Sequence, residues 1–196
     1  MSDPLGPPDD AGTELSPDER EGLVPSYITL RRELNAAEQS NIEEGVEWAE
    51  PRKDRDVLDE TFLKTLHKRM YGNVWRWAGD FRTTGKNVGT DAYRIATELR
   101  QLVDDCRFQV ANRSFPVDEI AARFHHRLVQ IHCFPNGNGR HARVATDLLL
   151  KQLGHRPFTW GSANLADAGE VRSRYIAALR AADSHDYEPL LAFVRT

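Results

Sequence analysis

The chain has 196 residues, 40% of them hydrophobic, so it can form one domain with a core of its own but not several large domains. Its 30 acidic and 26 basic residues give a formal net charge of −4, which excludes a protein that wraps nucleic acid by neutralising phosphates. No apolar run approaches the roughly 20 residues of a membrane span, and the first residues are acidic and proline-rich, unlike a secretory signal. We therefore expect a soluble, cytoplasmic protein.

The N-terminal part of the chain divides into a tail and a helix. Residues 1–22 hold four of the ten prolines among Asp, Glu and Gly, and this composition predicts a mobile tail. Residues 23–50 are predicted to carry an amphipathic helix, with Thr29 as a candidate N-cap and Pro51 ending it. Its apolar residues recur at helical spacing: Leu30, Leu34, Ala37, Ile42, Val46 and Ala49. Residues 51–196 are predicted to form the main domain.

The main domain is predicted to be mainly α. Apolar residues recur at helical spacing over Asp59–Tyr71, Ala92–Val110, Val117–Ile131, Asn138–Leu153, Leu165–Ala182 and Pro189–Val194. Between the first two of these helices, the segment Phe81–Thr90 is rich in Gly, Thr and Asn. That composition favours a short hairpin or loop. The expected fold is a helical bundle with one small β element.

Residues 132–143 carry the strongest chemical signal. Pro and Gly interrupt two helical patterns here, and the glycines let the backbone approach a ligand closely. The helix that follows presents free N–H groups together with Arg140 and Arg143, three residues apart, which is typical of an anion site suited to a polyphosphate. His132 stands at the other lip of the loop, where it can take a proton. The alternative is a tight turn whose arginines pair with the acidic surface.

Other site chemistries have weaker support. Cys106 and Cys133 have no second cysteine at zinc-knuckle spacing, so we expect buried, reduced thiols. The histidines His125, His126, His132 and His141 lack a tight ligand spacing with a carboxylate between them. No G-x-S-x-G nucleophile elbow is present.

The same segment resembles the Fic motif, H-x-F-x-(D/E)-G-N-G-R-x-x-R. The matching positions are His132, Phe134, Gly137, Asn138, Gly139, Arg140 and Arg143. The resemblance extends upstream to residues 75–82, and residues 23–154 are similar to the proteins called mobile mystery protein B. It implies the Fic fold, a helical bundle with a short β-hairpin flap.

The resemblance also implies a reaction and a role for each residue. Fic enzymes mostly transfer AMP from ATP to a protein hydroxyl and release pyrophosphate. His132 would be the general base and Phe134 would anchor the loop. The nucleotide-binding set would be Gly137, Asn138, Gly139, Arg140 and Arg143, with Arg143 on the γ-phosphate. The flap that registers the target would be Lys86, Asn87, Val88 and Gly89, unless these residues form an ordinary hairpin.

Asn136 departs from the family pattern, which has Asp or Glu there as the Mg²⁺ ligand. An amide oxygen can ligate Mg²⁺ but brings no charge. We therefore expect metal affinity to depend mainly on the nucleotide, with slow transfer or altered chemistry.

Residues 40–45 resemble the inhibitory motif of Fic proteins, (S/T)-x-x-x-E-(G/N), at Ser40, Glu44 and Gly45. In the family this glutamate pairs with the last arginine of the motif, here Arg143, and displaces the γ-phosphate. The resemblance thus implies a chain inhibited in cis by Glu44. A solvated, acidic helix end is the alternative.

The function expected from these residues is protein adenylylation of a Ser, Thr or Tyr hydroxyl, with ATP as substrate and Mg²⁺. The partner would be a target protein, with the chain itself as another candidate target, and neither a membrane nor nucleic acid is expected to bind. The alternatives are a Fic-fold deAMPylase, a Doc-like phosphotransferase, and a nucleotide-binding interaction module with little turnover.

Overall fold

The structure, a computed structural model, describes residues 13–16, 20–52, 55–86, 88–162 and 168–196. Within these ranges, no helix is both long enough and apolar enough to cross a membrane. Among the described residues, a 3₁₀ turn, Ala92–Arg94, precedes the third of seven α-helices. In chain order these are α1 (Arg31–Ala49), α2 (Glu60–Tyr71), α3 (Ile95–Asn112), α4 (Val117–Ile131), α5 (Asn138–Gln152), α6 (Ala168–Asp183) and α7 (Glu188–Val194).

The starts of α1 and α2 follow from local side-chain hydrogen bonds. Asp59 caps α2, because its Oδ1 accepts the Phe62 N–H at 2.8 Å. In α1 the first-turn Glu33 carboxylate accepts the Thr29 and Leu30 N–H groups at 3.0 and 3.1 Å. The helix therefore begins after Leu30, one residue later than a Thr29 cap predicts.

Helices α4 and α5 form the centre of the fold and join its two cores. One core lies among α1 to α5 and the other among α4 to α7. Neighbouring helices pack as pairs, α1 on α2, α3 on α4, α4 on α5 and α6 on α7. The loop between α4 and α5 is the motif segment, so both cores fix its two ends.

Helix α1 shares the first core with the main domain. Its Leu34 and Ile42 are buried there. At Gly45 the backbone of α2 comes so close that an added Cβ would lie 2.7 Å from Met70 Cγ and 2.8 Å from Met70 Cα. The glycine assigned to an inhibitory motif therefore also has a packing role.

Part of the segment predicted as a mobile tail is packed against α1. Leu15 is buried, and its N–H donates to the Thr29 carbonyl at 2.9 Å. Arg31 N–H donates back to the Thr13 carbonyl at 2.8 Å. The rest of that prediction, at residues 1–12 and 17–19, lies outside the described residues.

The predicted β-hairpin is wrong for the described residues between Phe81 and Thr90, which form bends and open loop instead. The carbonyls of Thr84 and Thr90 accept from the Arg82 side chain rather than from a facing strand. Asn87, one of the predicted flap residues, lies outside the described residues.

Both cysteines are buried free thiols, as predicted. Burial raises the pKa of Cys106 and of Cys133 to about 12. The neutral thiols behave as small apolar core groups.

Candidate active site

His132 ends helix α4 in the left-handed conformation, with φ of 55°. Few residues other than glycine adopt this conformation, and it turns the chain sharply into the motif loop. The ring is half-buried. Burial lowers the pKa of His132, and the charges of Arg82 and Lys86 lower it further. The imidazole is therefore neutral at pH 7, the state that a general base needs.

The loop after His132 is closed by a reciprocal pair of hydrogen bonds. Phe134 N–H donates to Asn138 Oδ1 at 2.9 Å, and Asn138 Nδ2 donates to the Phe134 carbonyl at 2.8 Å. The Phe134 ring is buried and stacks on His67, with centroids 3.7 Å apart. Phe134 thus anchors the loop as expected, whereas the Asn138 amide shapes the loop from inside.

Two glycines of the loop differ in what surrounds them. Gly137 has φ of 77°, and an added Cβ would lie 2.5 Å from the Tyr71 ring. At Gly139 an added Cβ would meet nothing within 4 Å. Helix α5 starts between them, with His141 N–H donating to the Gly137 carbonyl at 2.9 Å. The N–H groups that precede this bond are those that a helix start leaves available for an anion.

Arg140 contacts a carboxylate of helix α1. Its Nη2 lies 2.5 Å from Glu38 Oε2, and the Glu38 side chain is only 4% exposed. The other oxygen of Glu38 accepts from Trp75 Nε1 at 2.7 Å. The Arg140 guanidinium also lies 5.4 Å from the centre of the Tyr71 ring. A buried carboxylate therefore occupies the guanidinium that was expected to bind phosphate.

Arg143 lies deeper in the protein than Arg140 and is 8% exposed. The pKa of His125 in α4 is lowered to about 3, mainly by burial and to a smaller extent by the positive charge of Arg143. The two motif arginines therefore have different surroundings, although they lie on one helix.

The Glu44 side chain forms hydrogen bonds with two asparagines. Glu44 is exposed, and its Oε2 accepts from Asn73 Nδ2 at 2.7 Å and from Asn41 Nδ2 at 3.5 Å. Six residues of α-helix rotate the chain by about 600°, which puts Glu44 roughly 120° round α1 from Glu38. The face of α1 that meets the motif carries Glu38, and Ser40 is exposed like Glu44.

The side chains around Asn136 do not fit a Mg²⁺ ion held by the protein. Asn136 is exposed, and its Oδ1 accepts the Gly137 N–H at 2.7 Å. Within the described ranges, no group of three or more His, Cys, Asp or Glu side chains is placed to hold a metal. Mg²⁺ prefers carboxylate and phosphate oxygens, and here the chain offers one neutral amide oxygen that is already engaged.

The loop predicted as the flap runs beside His132. Thr90 N–H donates to the Ile131 carbonyl at 3.3 Å, and an added Cβ at Gly89 would lie 2.6 Å from His132 Cβ. Lys86 and Val88 are exposed, Val88 by 60%. The loop thus lies directly against the C-terminal end of α4 and His132.

The sequence also matches a known family across this site. Residues 57–150 match the Fic/DOC family, a range that holds the motif, the flap loop and helices α2 to α5 up to Leu150. These residues are similar to the domain of that family. The match leaves out helix α1, which carries Glu38.

Proteins that are similar to this chain include protein adenylyltransferases. Protein adenylyltransferase fic-1 of Caenorhabditis elegans is 29% identical over 147 residues, which cover 72% of this chain and 27% of that protein. The chain thus matches just over a quarter of the length of this curated relative.

Two solved Fic structures share the fold. One is the N-terminal Fic domain of a VirB-translocated Bep effector from Bartonella quintana with bound ADP, at TM-score 0.69 and 18% identity over 86% of each chain. The other is BepC of Bartonella tribocorum with bound AMPPNP, at TM-score 0.66 and 18% identity over 90% of this chain and 95% of that one.

Three residues of the candidate site were not predicted from the sequence. Glu38 was detectable, because the helical spacing of Leu34 and Ile42 places it on the apolar face of α1. Nothing local marked His67 or Arg82. Buried His67 accepts the Gly79 N–H on Nδ1 at 3.0 Å, and its Nε2 lies 3.1 Å from the Asn136 carbonyl oxygen. His67 therefore ties the loop to the segment that follows α2.

Proposed function

We propose that this chain is a protein adenylyltransferase that transfers AMP from ATP to the hydroxyl of a Ser, Thr or Tyr side chain. The observation that carries the proposal is the closed loop from His132 to Arg140. It has a neutral imidazole at one end and a helix start with a guanidinium at the other, and an added Cβ at Gly139 in that helix start would meet nothing within 4 Å. The similarity of residues 57–150 to the Fic/DOC family, and of the chain to protein adenylyltransferases, supports it.

The proposed reaction assigns a separate task to each group. The target hydroxyl oxygen attacks the α-phosphorus of ATP, the bond from that phosphorus to the oxygen bridging to the β-phosphate breaks, and pyrophosphate leaves. His132 takes the proton of the hydroxyl. The N–H groups at the start of α5, with Arg140 and Arg143, stabilise the charge of the phosphates and of the leaving group. ATP would arrive with its own phosphate-bound Mg²⁺.

We also propose that a carboxylate of helix α1 inhibits this reaction in cis. The sequence motif nominates Glu44 for that role, whereas the contact with Arg140 favours Glu38. A guanidinium that is hydrogen-bonded to a buried carboxylate cannot fully bind a phosphate as well. Exchange of Glu38 for ATP on Arg140 would therefore precede turnover.

Mass spectrometry after incubation with ATP and Mg²⁺ tests the function. We expect AMP on the chain itself or on a protein from a lysate of its source, and no adduct with His132→Ala. A phosphate adduct would instead indicate a Doc-like phosphotransferase, and loss of AMP from a modified protein would indicate a deAMPylase. Nucleotide binding without any adduct would indicate an interaction module and would contradict the proposal.

A further inference from the structure

Arg82 is a buried cation that binds main-chain carbonyls. The residue is 3% exposed. Its Nε donates to the His132 carbonyl at 2.7 Å and its Nη1 to the Thr84 carbonyl at 3.0 Å. Its Nη2 donates to the Thr90 carbonyl and, at 3.4 Å, to the Ile131 carbonyl. Within the described ranges, no carboxylate forms an ion pair with it.

These acceptors belong to two separate segments. Ile131 and His132 end helix α4, whereas Thr84 and Thr90 lie at the two ends of the flap loop. The Arg82 main chain also binds next to His132, because its N–H donates to the Cys133 carbonyl at 3.0 Å. One side chain therefore links the flap loop to the residue that carries the imidazole.

The guanidinium suits this role for two physical reasons. Its planar, forked guanidinium can donate hydrogen bonds to several carbonyls at once in fixed directions. The single ammonium group of lysine lacks this geometry. The left-handed backbone of His132 also needs support from its surroundings, since a residue with a Cβ is strained there. The bond from Arg82 to the His132 carbonyl provides such support.

We propose that Arg82 is a positioning residue that holds the His132 imidazole and the flap loop in one fixed register. The inference rests on the proposed function, because it treats His132 as the base and the flap loop as the surface that holds the target. Arg82 acts through these two elements and touches neither nucleotide nor hydroxyl. Removing its fork would loosen the alignment of base and target while leaving the nucleotide site in place.

The positive charge of Arg82 gives a second readout. Burial is the main reason for the lowered pKa of His132, and Arg82 and Lys86 are the charges that add to it. Arg82→Gln removes one of these charges, so the pKa of His132 should rise. Arg82→Lys keeps a charge but loses the fork, so the pKa should stay close to that of the parent chain.

The experiment compares Arg82→Lys and Arg82→Gln with the parent chain, using nuclear magnetic resonance and kinetics. Arg195→Gln is the control, because the exposed Arg195 also donates to carbonyls, at 2.9 Å to Pro157 and 3.2 Å to Arg156, but lies against Phe158 of the second core. His132 ring signals are assigned by their loss in His132→Ala. We expect the amide signals of Thr84 and Thr90 to shift in both Arg82 variants. Neither signal should shift in Arg195→Gln.

For turnover, measured in a Glu38→Gln background, both Arg82 variants should lower kcat about 100-fold with unchanged KM for ATP, as expected for a misplaced base. An Arg82→Lys chain with parental kcat and parental Thr84 and Thr90 signals would overturn the proposal. If the Glu38→Gln chain transfers no AMP at all, the proposed function fails, but the resonance shifts and the pKa of His132 still decide the role of Arg82.

Discussion

The Glu38 carboxylate lies 2.5 Å from the Arg140 guanidinium, across 102 residues of sequence. This contact ties helix α1, outside the matched residues 57–150, to the arginine end of the motif. Trp75 fixes the second oxygen of the same carboxylate, so Glu38 is held from both sides. The resting state of the site is thus one in which the protein supplies its own anion.

The pH dependence of transfer should report His132. Because burial lowers the pKa of His132, its neutral, reactive form persists at pH 7 and is lost only as the pH falls through that lowered pKa. We expect kcat/KM to be independent of pH near 7 and to fall on the acid side, with a midpoint below 6.5. A midpoint above 7 would contradict His132 as a base in this environment.

Two glycine variants separate loop geometry from nucleotide access. Gly137→Ala places a Cβ 2.5 Å from the Tyr71 ring at φ of 77°, so it should destabilise the chain. We expect a loss of roughly 1–3 kcal/mol, measured by denaturant unfolding. Gly139→Ala meets nothing within 4 Å and should keep parental stability, but its methyl enters the open space and should weaken ATP binding. Equal stability of the two variants would contradict the loop described here.

Replacing Asn136 tests whether a missing carboxylate limits the metal step. Asn136→Asp should lower the Mg²⁺ concentration for half-maximal transfer severalfold, because a charged oxygen ligand is preferred to an amide. Asn112→Asp, at an exposed end of α3, is the control and should leave the Mg²⁺ dependence unchanged. Identical Mg²⁺ curves for all three chains would show that position 136 does not contribute to metal binding.

Buried histidines should make the fold sensitive to acid. Burial lowers the pKa of His141 to about 4. Between pH 6.5 and 4, His141 is therefore protonated in the unfolded chain but neutral in the folded chain. Stability falls as the pH decreases from 6.5 towards 4, by about 1.4 kcal/mol per unit for this residue. His141→Gln keeps a donor for the Leu63 carbonyl and should flatten that slope in urea unfolding. His155→Gln, at an exposed site, should leave the slope unchanged.

The helices could be predicted from the sequence because their signals are local. The spacing of apolar residues placed most helix ends within a few residues of those observed. The motif residues were found for the same reason, since His132 to Arg143 lie within twelve positions. Their individual roles in catalysis and binding remain predictions.

Long-range contacts account for what the sequence did not predict. The helical spacing puts Glu38 on the buried face of α1, but its partner Arg140 is set by how α1 packs. The expected hairpin failed because the Arg82 side chain takes the carbonyls of Thr84 and Thr90, which strand pairing would have used. A six-residue pattern nominated Glu44, and only the rotation of α1 shows that Glu38 is the residue facing the motif.

The most direct test of this account measures label transfer from α-³²P ATP to protein by the parent chain, Glu38→Gln and Glu44→Gln. Glu38→Gln keeps an acceptor for Trp75 and frees Arg140 from its ion pair, while Glu44→Gln is the matched change on the exposed face. We predict that Glu38→Gln transfers label faster than the parent, that Glu44→Gln does not, and that adding His132→Ala abolishes the gain. Faster transfer by Glu44→Gln alone, or equal transfer by all three chains, would contradict inhibition through the Glu38–Arg140 contact.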